Sequence, residues 1–301
     1  MKIAYCILCH RMTNPLRFTV SYLSSFESNR IYIHVDGKSD IQPFMEEFRG
    51  CNIFFVGDRV NVAWGSVTQV DATLSLLRAA VKEKFDYLFL ISGDDIPAVS
   101  NDQIVGCLNR LKGHELIAYQ DERFSYVDPL ERVKYRYPKC CFKKEKNPLE
   151  KFKVRLHGLG CRLGLYKNSF YKKLPELYKG TSWFTITYDF SCFVLDYVNN
   201  NPEYRRAFQE SFCCDEIFFH TILMDSPFRQ KVYHNDWAYS DSFRYIDWKS
   251  GPDYPRTLDE SDFKRIKSSA MLFARKVRQD IDMDALHFFT EKSSELHQET
   301  A

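Results

Sequence analysis

The sequence predicts an α/β protein with a Rossmann-like, mainly parallel central sheet flanked by helices. Two observations carry this. Short runs rich in Ile, Val, Tyr and Phe recur through the first part of the chain, and stretches with apolar residues at helical spacing fall between them. Strand, helix, strand in repetition describes a doubly wound sheet with ligands at the carboxyl ends of its strands.

The expected strands are Ile3 to Cys9, Ile31 to Val35, Asn52 to Val56, Tyr87 to Ile91 and Leu116 to Tyr119. Asn14 and Pro15 offer an N-cap and first-position proline for a helix through Phe26, and Val67 to Lys84 has helical periodicity. From Arg132 to Arg155 the composition turns basic, with Lys143, Lys144, Lys146, Lys151 and Lys153 interleaved with Tyr135, Tyr137, Phe142 and Phe152. Such a segment reads either as a mobile loop for an anionic acceptor or a phospholipid surface, or as a solvated insertion. Further on, Pro202 opens a helix, Asp215 opens another, and Thr257-Leu258-Asp259-Glu260 has the form of a capping box. The expected organisation is one domain over 1–301: a first half (1–125), a basic insertion or loop (126–160), and a second half (161–301).

A chain of 301 residues, 45% hydrophobic, is long enough for a large core. Its formal net charge of +2 gives no global signal for nucleic acid. No apolar run reaches the roughly 18 residues of a membrane span, and the opening strand lacks a signal-peptide cleavage site, so the expectation is a cytoplasmic protein. The ten cysteines are dispersed through apolar segments and read as reduced thiols. Cys6-Ile7-Leu8-Cys9-His10 matches a haem-attachment spacing, but it lies within an apparent buried strand. The glycines from Gly158 to Gly164 miss the dinucleotide-binding spacing.

Three acidic positions could carry chemistry. Asp215 and Glu216 precede the apolar run Ile217 to Leu223, where a carboxylate either caps a helix or accepts a proton. Asp36 ends the second strand and suits a ribose or base edge. Asp94 and Asp95 follow the fourth, and either ligate a cation held by a diphosphate or contact an acceptor.

Together these segments resemble the core-2/I-branching β-1,6-N-acetylglucosaminyltransferase family, which includes peptide O-xylosyltransferases. The likeness runs in order through Tyr5 to His10, Ile33-His34-Val35-Asp36, Trp64-Gly65, Leu90 to Pro97, Lys179-Gly180-Thr181-Ser182-Trp183, Asp215 to Phe219, Tyr245-Ile246-Asp247-Trp248 and Leu272 to Lys276. The resemblance implies a GT-A-like fold and inverting transfer of a sugar, with N-acetylglucosamine the best guess, from a UDP donor to a glycan hydroxyl. It implies Glu216 as catalytic base, His10, Asp36, Trp64, Arg256 and Lys276 on the donor, and Asp94, Asp95 and Trp248 on the acceptor side. It also implies no essential metal or cofactor, because Arg256 and Lys276 replace the cation at the diphosphate. Arg256 and His10 also read as a surface residue and a strand-end histidine. Trp64 reads as core, and Trp183 as support for the core. The setting this suggests is cell-surface polysaccharide or glycoconjugate synthesis, with a glycan or lipid-linked acceptor met at the inner membrane face through residues 132–155.

Overall fold

A computed structural model of the chain describes residues 1–121, 126–251 and 254–291. Parts of the expected halves 1–125 and 161–301 therefore lie outside the described residues. The chain runs β1 (Ile3–Cys9), α1 (Asn14–Ser24), β2 (Asn29–Val35), α2 (Gln42–Glu47), β3 (Ile53–Phe55), α3 (Val67–Ala80), β4 (Tyr87–Ser92), β5 (Ile96–Pro97) and α4 (Asn101–Arg110). It continues through α5 (Pro129–Val133), α6 (Pro148–Arg162), β6 (Thr185–Thr187), α7 (Tyr188–Asn200), α8 (Pro202–Ala207), α9 (Phe218–Met224), β7 (Arg244–Ile246), α10 (Phe263–Ser268) and β8 (Phe273–Arg275).

The main sheet has the order β3-β2-β1-β4-β6, parallel except for the β4–β6 pair. The predicted mainly parallel sheet is therefore present. Period-two alternation divides its side chains between two layers: Ile3, Tyr5 and Ile7 pack with Phe273 and Leu286, whereas Ala4 and Cys6 pack with Val70, Leu74 and Phe218. Because β2 lies on one side of β1 and β4 on the other, the strand order reverses at β1. A crevice opens there at the strand ends. A smaller sheet, β5-β8-β7, packs over it.

Arg244 on β7 locks the two sheets together. It is fully buried, its guanidinium lies 5.1 Å from the Phe89 ring and 5.2 Å from the Phe273 ring, and it donates to the carbonyls of Ser242 (2.7 Å) and Phe184 (3.0 Å) and to Thr185 Oγ1 (3.1 Å).

Several expectations need correcting. Thr13, not Asn14, caps α1, because its hydroxyl reaches the Leu16 amide. Leu116 to Tyr119 is not a strand: it makes only isolated bridges to Thr185 and Gly180, and β6 takes the edge position antiparallel to β4. At the late capping box the cap is Asp259, paired reciprocally with Asp262. The basic segment is no loop, since α5, a 3₁₀ turn over Lys139–Phe142 and α6 occupy much of it. All ten cysteines are free, as expected.

Glu115 sits at the sheet edge, fully buried, accepting from the amide and hydroxyl of Thr187 at 2.8 and 2.6 Å. Burial raises its pKa from 4.5 to about 7, although the Thr187 bonds oppose the rise. The folded protein thus holds a proton that the unfolded chain releases between pH 4.5 and 7, so this group's contribution to stability falls as pH rises through that window. Glu115→Gln is expected to flatten the loss of stability between pH 5 and 8 by about 3 kcal/mol, read by urea unfolding at each pH. An undiminished slope would assign the titration elsewhere.

Candidate active site

Three chain segments meet at the carboxyl end of β4. Thr13 Oγ1 donates to the Gly93 carbonyl at 2.6 Å, and the Val277 amide donates to the Asp94 carbonyl at 2.9 Å, so the exits of β1, β4 and β8 are tied to one another. The two acids of the β4 turn then diverge. Asp95 is fully buried and spent on structure: its Oδ1 accepts from Ser92 Oγ at 2.5 Å and Arg275 Nε at 2.9 Å, and its Oδ2 from the Ser92 amide at 3.1 Å. An acceptor cannot reach it in this geometry. Arg275 in turn lies 4.1 Å over the Trp183 ring, which gives that tryptophan the supporting role expected of it.

Asp94 faces the crevice, with Arg11 Nη2 at 3.4 Å and Lys276 Nζ at 3.7 Å. Both distances are long for charge-assisted bonds, so each cation keeps donors to spare. Burial and then the charge of Lys276, with Arg275 and Arg11 adding to it, lower the pKa of Lys144 against the opposing pull of Asp94. That lysine, from the basic segment, is therefore within electrostatic reach of the cluster. Its approach is anchored by Phe142, whose ring lies 6.3 Å from Phe212, itself 5.6 Å from Trp64. With Arg275 paired to Asp95, the cations Arg11 and Lys276 flank the carboxylate of Asp94, and Lys144 feels their charge.

The neighbouring wall is acidic. Asp215 and Glu216 lie on a 3₁₀ turn, Cys214–Glu216, entered through Cys213 in the left-handed region (φ 48°). They do not open a helix as the sequence suggested: Ile217 breaks the turn, and α9 starts at Phe218 without a side-chain cap. Asp215 accepts instead from Ser182 Oγ at 2.6 Å and Gln69 Nε2 at 3.4 Å. Burial, then the adjoining Glu216 charge, raises its pKa. Glu216 is partly exposed, with Oε2 3.0 Å from Lys179 Nζ. Gly180 makes that approach possible, since a Cβ there would fall 1.8 Å from the Ala118 carbonyl oxygen and 2.6 Å from His220 Nε2.

Trp64 is exposed, not core, and stands beside this wall because the next residue, Gly65, donates to Gln69 Oε1 and accepts from the Cys213 amide. Trp183, which lies under Arg275, and Asp215 line one small cavity together with Ser182. Asp36 ends β2 with Oδ1 accepting from the amides of Lys38 (2.9 Å) and Val62 (3.3 Å), and its Oδ2 lies 3.5 Å from Lys38 Nζ. His10 is exposed at the β1 exit, 3.2 Å from Arg11 Nη1. Arg256, expected beside Lys276 at the diphosphate, instead directs its guanidinium to buried Asp262 at 3.3 Å; the tie to Lys276 is made two residues on, where the Leu258 amide donates to the Lys276 carbonyl at 2.7 Å. Trp248 is exposed just beyond β7.

The sequence reading assigned no role to Arg11, Lys179 or Arg275, and took Lys144 only with the basic segment as a whole. Lys179 and Arg275 fall inside the segments that carry the resemblance, and Arg11 adjoins His10. Nothing in the sequence ties Lys144 to the β4 turn. Among the described residues, Asp121, His234 and Asp241 bring possible ligand atoms within 4.8 Å of one another, and none of them stands on the strand ends that carry Asp36 and Asp94. His234 bonds Asp241 at 2.9 Å and Asp236 at 2.8 Å.

The profile of the Core-2/I-branching enzymes matches residues 3–270. The chain belongs to that family. Among curated relatives of this Core-2/I-branching enzyme, a zebrafish (Danio rerio) beta-1,3-galactosyl-O-glycosyl-glycoprotein beta-1,6-N-acetylglucosaminyltransferase 4 is 24% identical over 237 residues, covering 72% of this chain and 48% of that protein. Human xylosyltransferase 1 is 21% identical over 315 residues, covering 95% of this chain and 30% of the relative. The chain thus spans half or less of the length of these relatives. Among solved structures, mouse xyloside xylosyltransferase 1 in its apo form superposes with a TM-score of 0.37 at 11% identity, over 90% of this chain and 97% of that one. No helix among the described residues is long and apolar enough to cross a membrane.

Proposed function

We propose that this Core-2/I-branching enzyme is an inverting glycosyltransferase that moves a sugar from a UDP donor to a hydroxyl of a glycan acceptor, forming a β-linkage. N-acetylglucosamine is the first choice of sugar and xylose the second. The observation that carries the reading is the pair of cations around Asp94 at the β4 exit, together with a carboxylate, Glu216, held by Lys179 on the turn before α9. Arg11, Lys144 and Lys276 supply the positive charge that a departing diphosphate needs, with no essential metal. Glu216 takes the proton of the acceptor hydroxyl as its oxygen attacks the anomeric carbon, and the bond to UDP breaks on the opposite side. Asp36 and His10 border the nucleoside, and the exposed faces of Trp64 and Trp248 offer stacking surfaces for sugar rings. The setting we assign is synthesis of a cell-surface polysaccharide or glycoconjugate in the cytoplasm, with the acceptor carried on lipid at the inner membrane face.

Calorimetric titration with UDP, first in EDTA and then with Mn²⁺, tests the donor site. Equal affinity in both is expected. Lys276→Ala and Lys144→Ala are each expected to weaken UDP about tenfold while leaving uridine nearly unaffected, as loss of a charge-assisted contact to the β-phosphate requires. Binding only with Mn²⁺ would overturn the metal-free mechanism. Absence of any UDP binding would favour a carbohydrate-binding protein without turnover.

A further inference from the structure

Helix α6 carries an apolar stripe that nothing among the described residues covers. Leu149, Phe152, Leu156, Leu159 and Leu163 follow one another at steps of three and four residues, and each is between 53% and 72% exposed. The orientation is not accidental. The inward side of the helix buries His157 and Gly160, His157 Nε2 bonds the Arg136 carbonyl at 2.8 Å, and a reciprocal Asn147 and Glu150 capping box fixes the start. Clusters of exposed large apolar side chains of this kind mark a contact surface.

The charges on the helix say what kind of surface it meets. Lys151, Arg155 and Arg162 flank the stripe along one side and Lys153 along the other, all of them exposed. The sole acid of α6, Glu150, is spent on Lys143 at 2.6 Å. Beyond the helix the exposed Leu165 and Tyr166 prolong the apolar strip, and Lys167 the basic rim. Long basic side chains beside an apolar stripe can lay their stems on hydrocarbon and lift their charges to headgroup phosphates. A second copy of this chain is a poor occupant, because it would bring two basic rims together.

We propose that the outward face of α6 docks on an anionic phospholipid bilayer, lying in the headgroup boundary. The helix, at 15 residues, is too short and too charged to span one. This rests on the membrane contact in the reading above, sharpens it and relocates it: residues 148–163 meet the lipid, whereas Lys143 is tied to Glu150. The polypeptide leading into α6 carries Phe142 against Phe212, so a docked helix holds the mouth of the crevice near the bilayer surface.

The test is flotation of the full chain with vesicles of phosphatidylcholine alone and of phosphatidylcholine with phosphatidylglycerol. Binding to the anionic vesicles is expected, reversed by salt. Phe152→Ser with Leu156→Ser should weaken it at least tenfold. Lys151→Gln, Lys153→Gln and Arg155→Gln together should weaken it about a hundredfold, at roughly fivefold per cation. All these positions are exposed, so melting temperature and UDP affinity should match the parent. The proposal is overturned if the parent ignores anionic vesicles, if the apolar double variant binds as well as the parent, or if the parent is a dimer that this variant dissociates. The assay uses neither donor nor acceptor, so its failure and that of the transferase reading are separable.

Discussion

Replacing Glu216 by Gln is expected to lower kcat by about 10²–10⁴-fold while UDP affinity changes by less than about threefold. Glutamine keeps the shape of the side chain but cannot accept a proton at neutral pH. The loss should therefore appear in the chemical step and not in donor binding. Lys179, 3.0 Å away, would lose the ion pair that positions it, so Lys179→Ala is expected to show a milder version of the same defect. The measurement is steady-state transfer from a radiolabelled UDP-sugar, with UDP titration alongside. Turnover by Glu216→Gln at the parent rate would remove Glu216 from the proton transfer, and Asp215 could not easily replace it. That carboxylate already accepts from Ser182 and Gln69.

The second large effect concerns Arg244, and it is on stability. Arg244→Met removes donors from the Ser242 and Phe184 carbonyls and from Thr185, and leaves the Phe89 and Phe273 rings without the cation between them. The Phe184 carbonyl keeps the Leu90 amide at 2.9 Å, but the Ser242 carbonyl and Thr185 Oγ1 lose their donor at about 1–3 kcal/mol each, partly offset because no charge is buried any longer. A net loss of about 3–5 kcal/mol is expected, a fall in Tm on the order of 10 °C. Arg244→Lys should recover little, since a single ammonium cannot span carbonyls on two sheets. A Tm within 2 °C of the parent, a limit of roughly 1 kcal/mol, would mean that the sheets are held together by their apolar layers alone.

How much of this was legible in the sequence depends on where each residue's determinants lie. β1, β2 and β4 could be read because they are buried on both faces and carry long runs of apolar, β-favouring residues. β6 could not be read. It is only Thr185–Thr187, and its pairing with β4 is fixed from outside, by the Leu116 bridge and the reach of Arg244. The acidic pair was legible as a pair but not as a conformation, because the left-handed Cys213 replaces a helix start with a 3₁₀ turn. Asp94 and Asp95 are adjacent and chemically alike, so the sequence treats them together. Only Arg275, far along the chain, turns one inward. Lys144 was lost in a run of similar lysines whose individual bearings follow from the α5 and α6 packing.

Asp94 gives the crevice a tenant of its own. With its carboxylate between Arg11 and Lys276, the empty floor need not be a bare concentration of like charge, which would strain the fold and draw in stray anions. Under the proposed function an incoming diphosphate is a rival for cations already claimed at 3.4 and 3.7 Å, and would prevail by carrying more charge and more oxygens. After transfer the contest runs the other way. In the proposed reaction Asp94 would reclaim its neighbours as UDP departs, so the same carboxylate that blunts affinity would also keep product from lingering.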